Sequence, residues 1–318
     1  MNSFLVTGSA GFIGFHLAKR LLDQGFFVIG IDNFNDYYDV TLKEHRNSIL
    51  EEYKNYKMFA GDLSDQAFVK KVLSENKIDK IFHLAAQAGI RYSRINPMAY
   101  INSNLVGFCN LIEEAKNMGI KDFVYASSSS VYGGNKKIPF SVDDRTDQPL
   151  SLYAATKKSN ELIAYSYYST YGMNCTGLRF FTVYGPFGRP DMTPLMFTAS
   201  IVNNERIKVF NNGKCKRDFT YIDDIIDGVI AASHKVNGYN IFNLGNNKPI
   251  ELEYFINLIE KIVGKEAIKD YLPLPKEDVE ETFADISLSV KELGFSPKIS
   301  IEEGMKNTID WYKKYYNK

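Results

Sequence analysis

Phe4-Leu5-Val6-Thr7-Gly8-Ser9-Ala10-Gly11-Phe12-Ile13-Gly14 is the stretch that decides the fold. A short apolar run, a glycine-punctuated turn and the start of an apolar helix pattern follow one another without a break. Glycines at i, i+3 and i+6 permit a tight turn, close backbone approach to a pyrophosphate, and tight helix–strand packing. The helix that starts at Phe12 and Ile13 offers free N–H groups and a positive dipole end to phosphate oxygens. Glycine triplets also occur for turn geometry alone, so the next strand is the test. Phe26 to Asp32 is that strand, and it ends on an acid. A carboxylate there accepts hydrogen bonds from both ribose hydroxyls and repels a 2′-phosphate, which favours NAD over NADP.

Outward from this unit the same rhythm continues. Strand-like runs recur at Met58-Phe59-Ala60, Lys80 to Leu84, Phe123 to Ala126 and Cys175 to Phe180, with helical patterns near 66–76, 98–118 and 152–171. Short buried runs separated by helices are what a parallel sheet with crossover helices requires. The predicted fold is α/β: a doubly wound, Rossmann-type parallel sheet. Past residue 180 glycine and proline punctuate the chain, and helices are expected near 195–203, 223–235, 251–263 and 301–316. This predicts a dinucleotide-binding domain over 1–180, rejoined by about 218–245 through a late strand at Asn240 to Leu244. A smaller, mainly helical substrate domain is expected over 181–318.

Composition narrows the partners. The 318 residues carry 38 basic and 38 acidic side chains, a formal charge of zero, with 45% hydrophobic and 14% aromatic residues. Balanced charge argues against binding nucleic acid or anionic membranes through a bulk field. Cys109, Cys175 and Cys215 make no CxxC, and His16, His45, His83 and His234 show no ligand spacing, so no metal site is expected. No basic leader pattern precedes the first strand, and no stretch approaches the ~20 apolar residues that span a bilayer. The expectation is a soluble cytoplasmic protein.

Tyr153-Ala154-Ala155-Thr156-Lys157 sets a phenol and an ammonium at i and i+4 on one helix face. A phenol titrates near ~10, so bringing it to neutrality, about 3 pKa units down, takes roughly 4 kcal/mol of differential stabilisation. A nearby lysine cation and a positive nicotinamide ring are suited to supply that. The pair follows Tyr125-Ala126-Ser127-Ser128-Ser129-Ser130-Val131-Tyr132-Gly133, whose hydroxyls sit where a parallel strand opens on the ligand crevice. Ser128 is positioned there to hold a substrate oxygen, although serine runs also simply end strands.

Together the glycine loop, Asp32, Ser128 and the Tyr153/Lys157 pair resemble the extended short-chain dehydrogenase/reductase family. Four further segments resemble its UDP-glucuronate 4-epimerases: residues 32–39, Gln87-Ala88-Gly89-Ile90-Arg91-Tyr92-Ser93, Gly188-Arg189-Pro190-Asp191-Met192, and 217–224. The resemblance runs from residue 3 to about 310. It implies catalysis by Tyr153, Lys157 and Ser128. It implies NAD contacts from Gly8, Gly11, Phe12, Ile13, Gly14 and Asp32, with Asp62, Leu63, Leu84, Ala85 and Ala86 along the adenine and cofactor wall. It implies nucleotide-sugar contacts from Arg91, Ser93, Ser128, Ser129 and Thr182, and from Arg189, Arg217 and Asp278. A homodimer is a further implication, with the aromatic run Tyr165 to Tyr171 a candidate interface.

By the same resemblance Tyr153 removes the sugar O4 proton while hydride leaves C4, giving a 4-keto sugar. Dehydratases of the family carry an Asp-Glu pair after the catalytic Ser/Thr, and decarboxylases a glutamate before the Val-Tyr-Gly. Here Ser129 and Ser130 stand in those places, which leaves rotation of the keto-sugar and return of hydride. If the substrate is a uronic acid, its 4-keto form is a β-keto acid prone to lose carbon dioxide, so its carboxylate needs a fixed partner. Arg189 is the candidate, because guanidinium binds carboxylate through two parallel bonds; a loop arginine or a phosphate contact are the other readings. A UDP-hexose 4-epimerase (glucose/galactose or N-acetyl), a UDP-glucuronate decarboxylase and a non-catalytic NAD-binding sensor remain the alternatives.

Overall fold

Strict alternation of apolar side chains lets the first strand bury both its faces. Phe4 and Val6 enter one cluster, with Phe82, Val124 and Leu178; Leu5 enters another, with Ile29, Ile81, Phe123 and Cys175. Each fully buried side chain of this size contributes about 1.5–3 kcal/mol. In the computed structural model, which describes residues 2–235, 237–274 and 280–318, these clusters lie on opposite faces of one parallel sheet. Its strands are β1 (Ser3–Thr7), β2 (Phe27–Asp32), β3 (Tyr56–Ala60), β4 (Lys80–His83), β5 (Asp122–Ser128) and β6 (Asn174–Phe180). The connecting helices are α1 (Phe12–Asp23), α2 (Val40–Glu51), α3 (Gln66–Glu75), α4 (Pro97–Tyr100), α5 (Gly107–Asn117) and α6 (Leu152–Tyr171).

The second half of the chain adds β7 (Thr182–Tyr184), α7 (Thr193–Val202), β8 (Arg206–Phe210), β9 (Lys216–Tyr221), α8 (Ile222–His234) and β10 (Tyr239–Leu244). It closes with β11 (Pro249–Glu251), α9 (Leu252–Val263), β12 (Ile268–Leu272), β13 (Glu281–Thr282), α10 (Ser287–Leu293) and α11 (Ile301–Tyr316). The main sheet has the order β10-β6-β5-β4-β1-β2-β3. The late strand β10 pairs with β6, Leu244 opposite Phe180. The order reverses between β1 and β4, and a ligand crevice opens beyond the carboxyl ends of such strands. Beside the helices of the second half, β7, β9, β11 and β13 make a small mixed sheet, and β8 pairs with β12.

The sequence pattern does not announce α2. Its inward face buries Lys43, Arg46 and Asn47 alongside Leu42 and Leu50, so the apolar stripe is interrupted where the helix is most enclosed. Among the described residues no helix is long and apolar enough to cross a membrane.

Candidate active site

A cleft of about 1050 Å³ lies over the carboxyl edge of the sheet, lined by the glycine loop, the ends of β1, β2, β4 and β5, and the loops after β7. Gly8 has φ +71°, and a Cβ there would stand 2.8 Å from the Ala85 nitrogen; a Cβ on Gly11 would stand 2.9 Å from the Gly8 carbonyl oxygen. A Cβ on Gly14 would fall 2.0 Å from that same oxygen, so its hydrogen is what lets α1 pack on the loop. No side chain caps α1, and Gly11, Phe12 and Ile13 line the cleft, leaving the first-turn amides facing it. Asp32 ends β2 with its carboxylate accepting from Ala10 N at 3.1 Å and Phe34 N at 2.9 Å. Burial pushes its pKa up, against those two N–H groups and the Lys43 charge. Asp62 is held oppositely: its hydrogen bonds from Ser64 and Asn33 outweigh burial and draw it down.

Arg46, fully buried on α2, donates to Ala10 O at 2.9 Å and to the Phe187 and Gly188 carbonyls at 2.7 and 3.1 Å. It ties the phosphate loop to the loop that carries Arg189. The other wall is the β4 end: Leu84, Ala85 and Ala86 line it, with Ala85 N donating to Thr7 Oγ1 at 3.2 Å.

Over this floor α6 presents Tyr153 and Lys157. Ser151 caps the helix by accepting from Ala154 N, which aims its first turn at the end of β5. Lys157 is 2% exposed and donates from Nζ to Ala126 O at 2.8 Å; burial draws its pKa down to about 8. Burial raises the Tyr153 phenol, while the nearby Ser128 hydroxyl and the charge of Arg189 pull the other way. The expectation from spacing gave that pull to Lys157. The Arg189 guanidinium adds a charge that lowers the phenol, and Lys157 directs one donor to the β5 backbone.

Arg189 itself is already engaged. Its Nε and NH2 donate to Asp191 Oδ1 and Oδ2 at 3.1 and 2.5 Å, a fork on a carboxylate. Tyr37, from the loop after β2, donates to Asp191 Oδ2 at 3.0 Å and lies under the guanidinium, 5.6 Å from ring centre to Cζ. Sequence reasoning missed Tyr37, Asp191, Lys43 and Arg46 as site-builders, although the first two stand in quoted segments. Each is an ordinary polar residue until the fold brings its partner near.

On the sugar side Arg91, Ser129, Thr182 and Arg217 line the cleft with Ser128. Arg217 NH1 donates to the Lys216 and Glu280 carbonyls, and Arg91 lies over the Phe210 ring at 5.3 Å. Ser93 is 3% exposed, does not line the cleft, and gives its hydroxyl to Ile90 O at 2.7 Å. Asp278 lies outside the described residues.

A glycine cradle with no room for Cβ atoms, uncapped helix amides and a buried acid at the next strand end together fit a dinucleotide: backbone for the pyrophosphate, carboxylate for the ribose. A family model described as "NAD dependent epimerase/dehydratase family" matches residues 4–245. The chain belongs to this family. It is an NAD-dependent enzyme, and its reaction is epimerisation of a UDP-sugar. It is 47% identical to the UDP-glucuronate 4-epimerase of Thermodesulfobacterium geofontis, over 98% of this chain and 97% of that one. The UDP-glucuronic acid 4-epimerase of Bacillus cereus, solved with UDP-glucuronic acid and NAD, superposes at a TM-score of 0.93 with 34% identity, covering 99% and 100% of the two chains. The UDP-glucose 4-epimerase of Thermotoga maritima, solved with UDP-glucose, reaches 0.90 at 29% identity, covering 99% of each.

Proposed function

We propose that the enzyme interconverts UDP-glucuronate and UDP-galacturonate by epimerisation at C4. One observation carries the reading: the Arg189 guanidinium lines the cleft close enough for its charge to reach the Tyr153 phenol, a cation placed for a sugar carboxylate. A uronic acid brings such a carboxylate to that place. Bound NAD+ supplies the acceptor, and then the donor, of the C4 hydride. Tyr153 takes the O4 proton and returns it, with Ser128 holding the same oxygen, a general-base contribution of about 10²–10⁴ in rate. Lys157 holds the helix to β5. Gly8, Gly11, Phe12, Ile13, Gly14, Asp32, Asp62, Leu63, Leu84, Ala85 and Ala86 would seat the cofactor; Arg91, Ser129, Thr182, Arg189 and Arg217 the nucleotide sugar.

Ser129 and Ser130 give the β5 end hydroxyls where an eliminating or decarboxylating enzyme would place acids, so the 4-keto sugar is left to turn over and be reduced from its other face. Arg189 orients the carboxylate and keeps it paired, which opposes loss of carbon dioxide. Exposed Leu162, Tyr165 and Tyr171 on α6 support the homodimer reading. A UDP-hexose 4-epimerase is the second reading, favoured by Asp191, which satisfies Arg189 without any substrate carboxylate. Purified enzyme is incubated separately with UDP-glucuronate and UDP-glucose, and the anomeric proton signals are followed by NMR. Turnover of the uronate alone is expected; turnover of the hexose alone overturns the proposal, and a pentose nucleotide as main product makes the enzyme a decarboxylase.

A further inference from the structure

Two buried charges beside the catalytic residues take no part in that chemistry. Arg179 on β6 donates from Nε to Glu161 Oε1 at 2.8 Å and from NH2 to Oε2 at 2.9 Å, the side chains 4% and 1% exposed. Lys158 reaches the same carboxylate at 3.1 Å. Well-packed apolar side chains are often at least as stabilising as a buried ion pair of this kind, so the question is what the pair does besides stabilise.

Its place in the ladder answers that. β4 accompanies β5 only as far as His83 opposite Tyr125. Beyond it Ala126, Ser127 and Ser128 are backed by β6 alone, Arg179 opposite Ser127. Helix α6 packs over this end of β5 and over β6. Tyr153, Lys157 and Glu161 recur at i, i+4 and i+8 along one stripe of the helix. Two of them engage the unsupported residues directly: Lys157 donates to Ala126 O at 2.8 Å, and Glu161 Oε1 accepts from Ser127 Oγ at 2.7 Å, while Tyr153 and Ser128 both line the cleft. Arg179 then carries the tie outward, donating to Tyr132 OH at 3.0 Å, whose hydroxyl donates to Asn243 Oδ1 on β10 at 2.6 Å.

We propose that Glu161, Arg179 and Ser127 are positioning residues: a side-chain clamp that pins the end of β5 to β6 and α6 where β4 no longer accompanies it, and so sets the place of Ser128 beside Tyr153. The clamp acts through Ser128, and its ion pair lies outside the cleft lining. The inference rests on Tyr153 as the proton acceptor and is indifferent to which UDP-sugar is turned over.

The test uses the NAD-replete full chain and whichever of UDP-glucuronate and UDP-glucose it converts. Ser127→Ala deletes one hydrogen bond and leaves the ion pair whole. We expect kcat about tenfold to a hundredfold lower, in line with the cost of an ångström-scale misplacement, with KM and bound NAD within about twofold and melting little changed. Moving Ser128 also weakens its lowering of the phenol's pKa, so the acidic limb of the kcat profile moves to higher pH; Arg189, Lys157 and Tyr100, which also surround Tyr153, are untouched. A double variant, Glu161→Met with Arg179→Met, is expected to fold and to stay slow. Full kcat and an unmoved limb in Ser127→Ala overturn the inference, as does full kcat in a folded double variant. If Tyr153→Phe keeps its turnover, the base assignment falls and takes the clamp's function with it; loss in Tyr153→Phe with full activity in Ser127→Ala sinks the clamp alone.

Discussion

Replacing Arg189 by alanine separates the readings of the cleft most sharply. A hydrogen bond to a charged partner is worth about 1.5–3 kcal/mol net. Arg189 is 18% exposed and Asp191 33%, so solvent screens the pair in part. A uronate arriving at the guanidinium exchanges with, or shares the fork with, the Asp191 carboxylate, so the gain sits at the lower end, about 1.5 kcal/mol or roughly tenfold in affinity. Arg189→Ala should therefore raise KM for UDP-glucuronate about tenfold and leave KM for UDP-glucose within about twofold. A second effect has a definite sign. The Arg189 charge lowers the Tyr153 phenol; without it the phenol's pKa rises, and a base that acts deprotonated then needs a higher pH to reach full kcat. Initial rates with both substrates across a pH series measure both quantities in the same variant. Equal losses on the two substrates would refute the carboxylate assignment, and an unmoved acidic limb would refute the electrostatic link to Tyr153.

Tyr153→Phe should keep its bound NAD and lose about 10²–10⁴ in kcat, read by NMR of the anomeric protons. Gly14→Ala drives a Cβ to 2.0 Å from the backbone oxygen of Gly8, which cannot swing aside; it should cost about 3 kcal/mol and lower both the melting temperature and the NAD that co-purifies. His83 is 1% exposed and burial lowers its pKa from its usual value to about 3. The unfolded chain then binds a proton that the folded one refuses. Stability from this residue is complete above its ordinary value near ~6.5 and lost as pH falls toward about 3, costing roughly 2 kcal/mol by about pH 5. Thermal melts against pH should show the slope, and His83→Asn should flatten it.

The main sheet was legible because its strands are short, apolar on both faces and spaced by amphipathic helices, and because glycine at three fixed offsets has few other uses after a strand. The late strand β10 was legible for the same reason. α2 was not, since its enclosed face buries Lys43, Arg46 and Asn47, and polar groups satisfied inside read as a solvated loop. Tyr153, Lys157 and Ser128 were singled out by position in the strand–helix order, and all three line the cleft. Their electrostatics were not legible: i, i+4 spacing fixes the face of a helix, not where an ammonium points. The Tyr37–Asp191–Arg189 bridge joins the loop after β2 to the loop after β7, and no local pattern encodes a contact across that distance. Ser93 lies beside Arg91 in the quoted motif, yet its hydroxyl is spent on Ile90 O.

The position of β10 has a consequence for how the molecule is made. It is laid against β6 only after β7, α7, β8, β9 and α8 have been synthesised. A nascent chain that has emerged as far as Phe180 has six of the sheet's seven strands, an open edge on β6, and Tyr132 without Asn243. The sheet cannot be sealed on the ribosome until β7 and β9 of the small sheet are already outside, while β11 and β13 follow later still, so the two parts cannot mature as separate beads on a string. Nor can one recombination junction trade the upper part for another: any exchange must cut on both sides of the segment between β6 and β10, and again beyond Leu244.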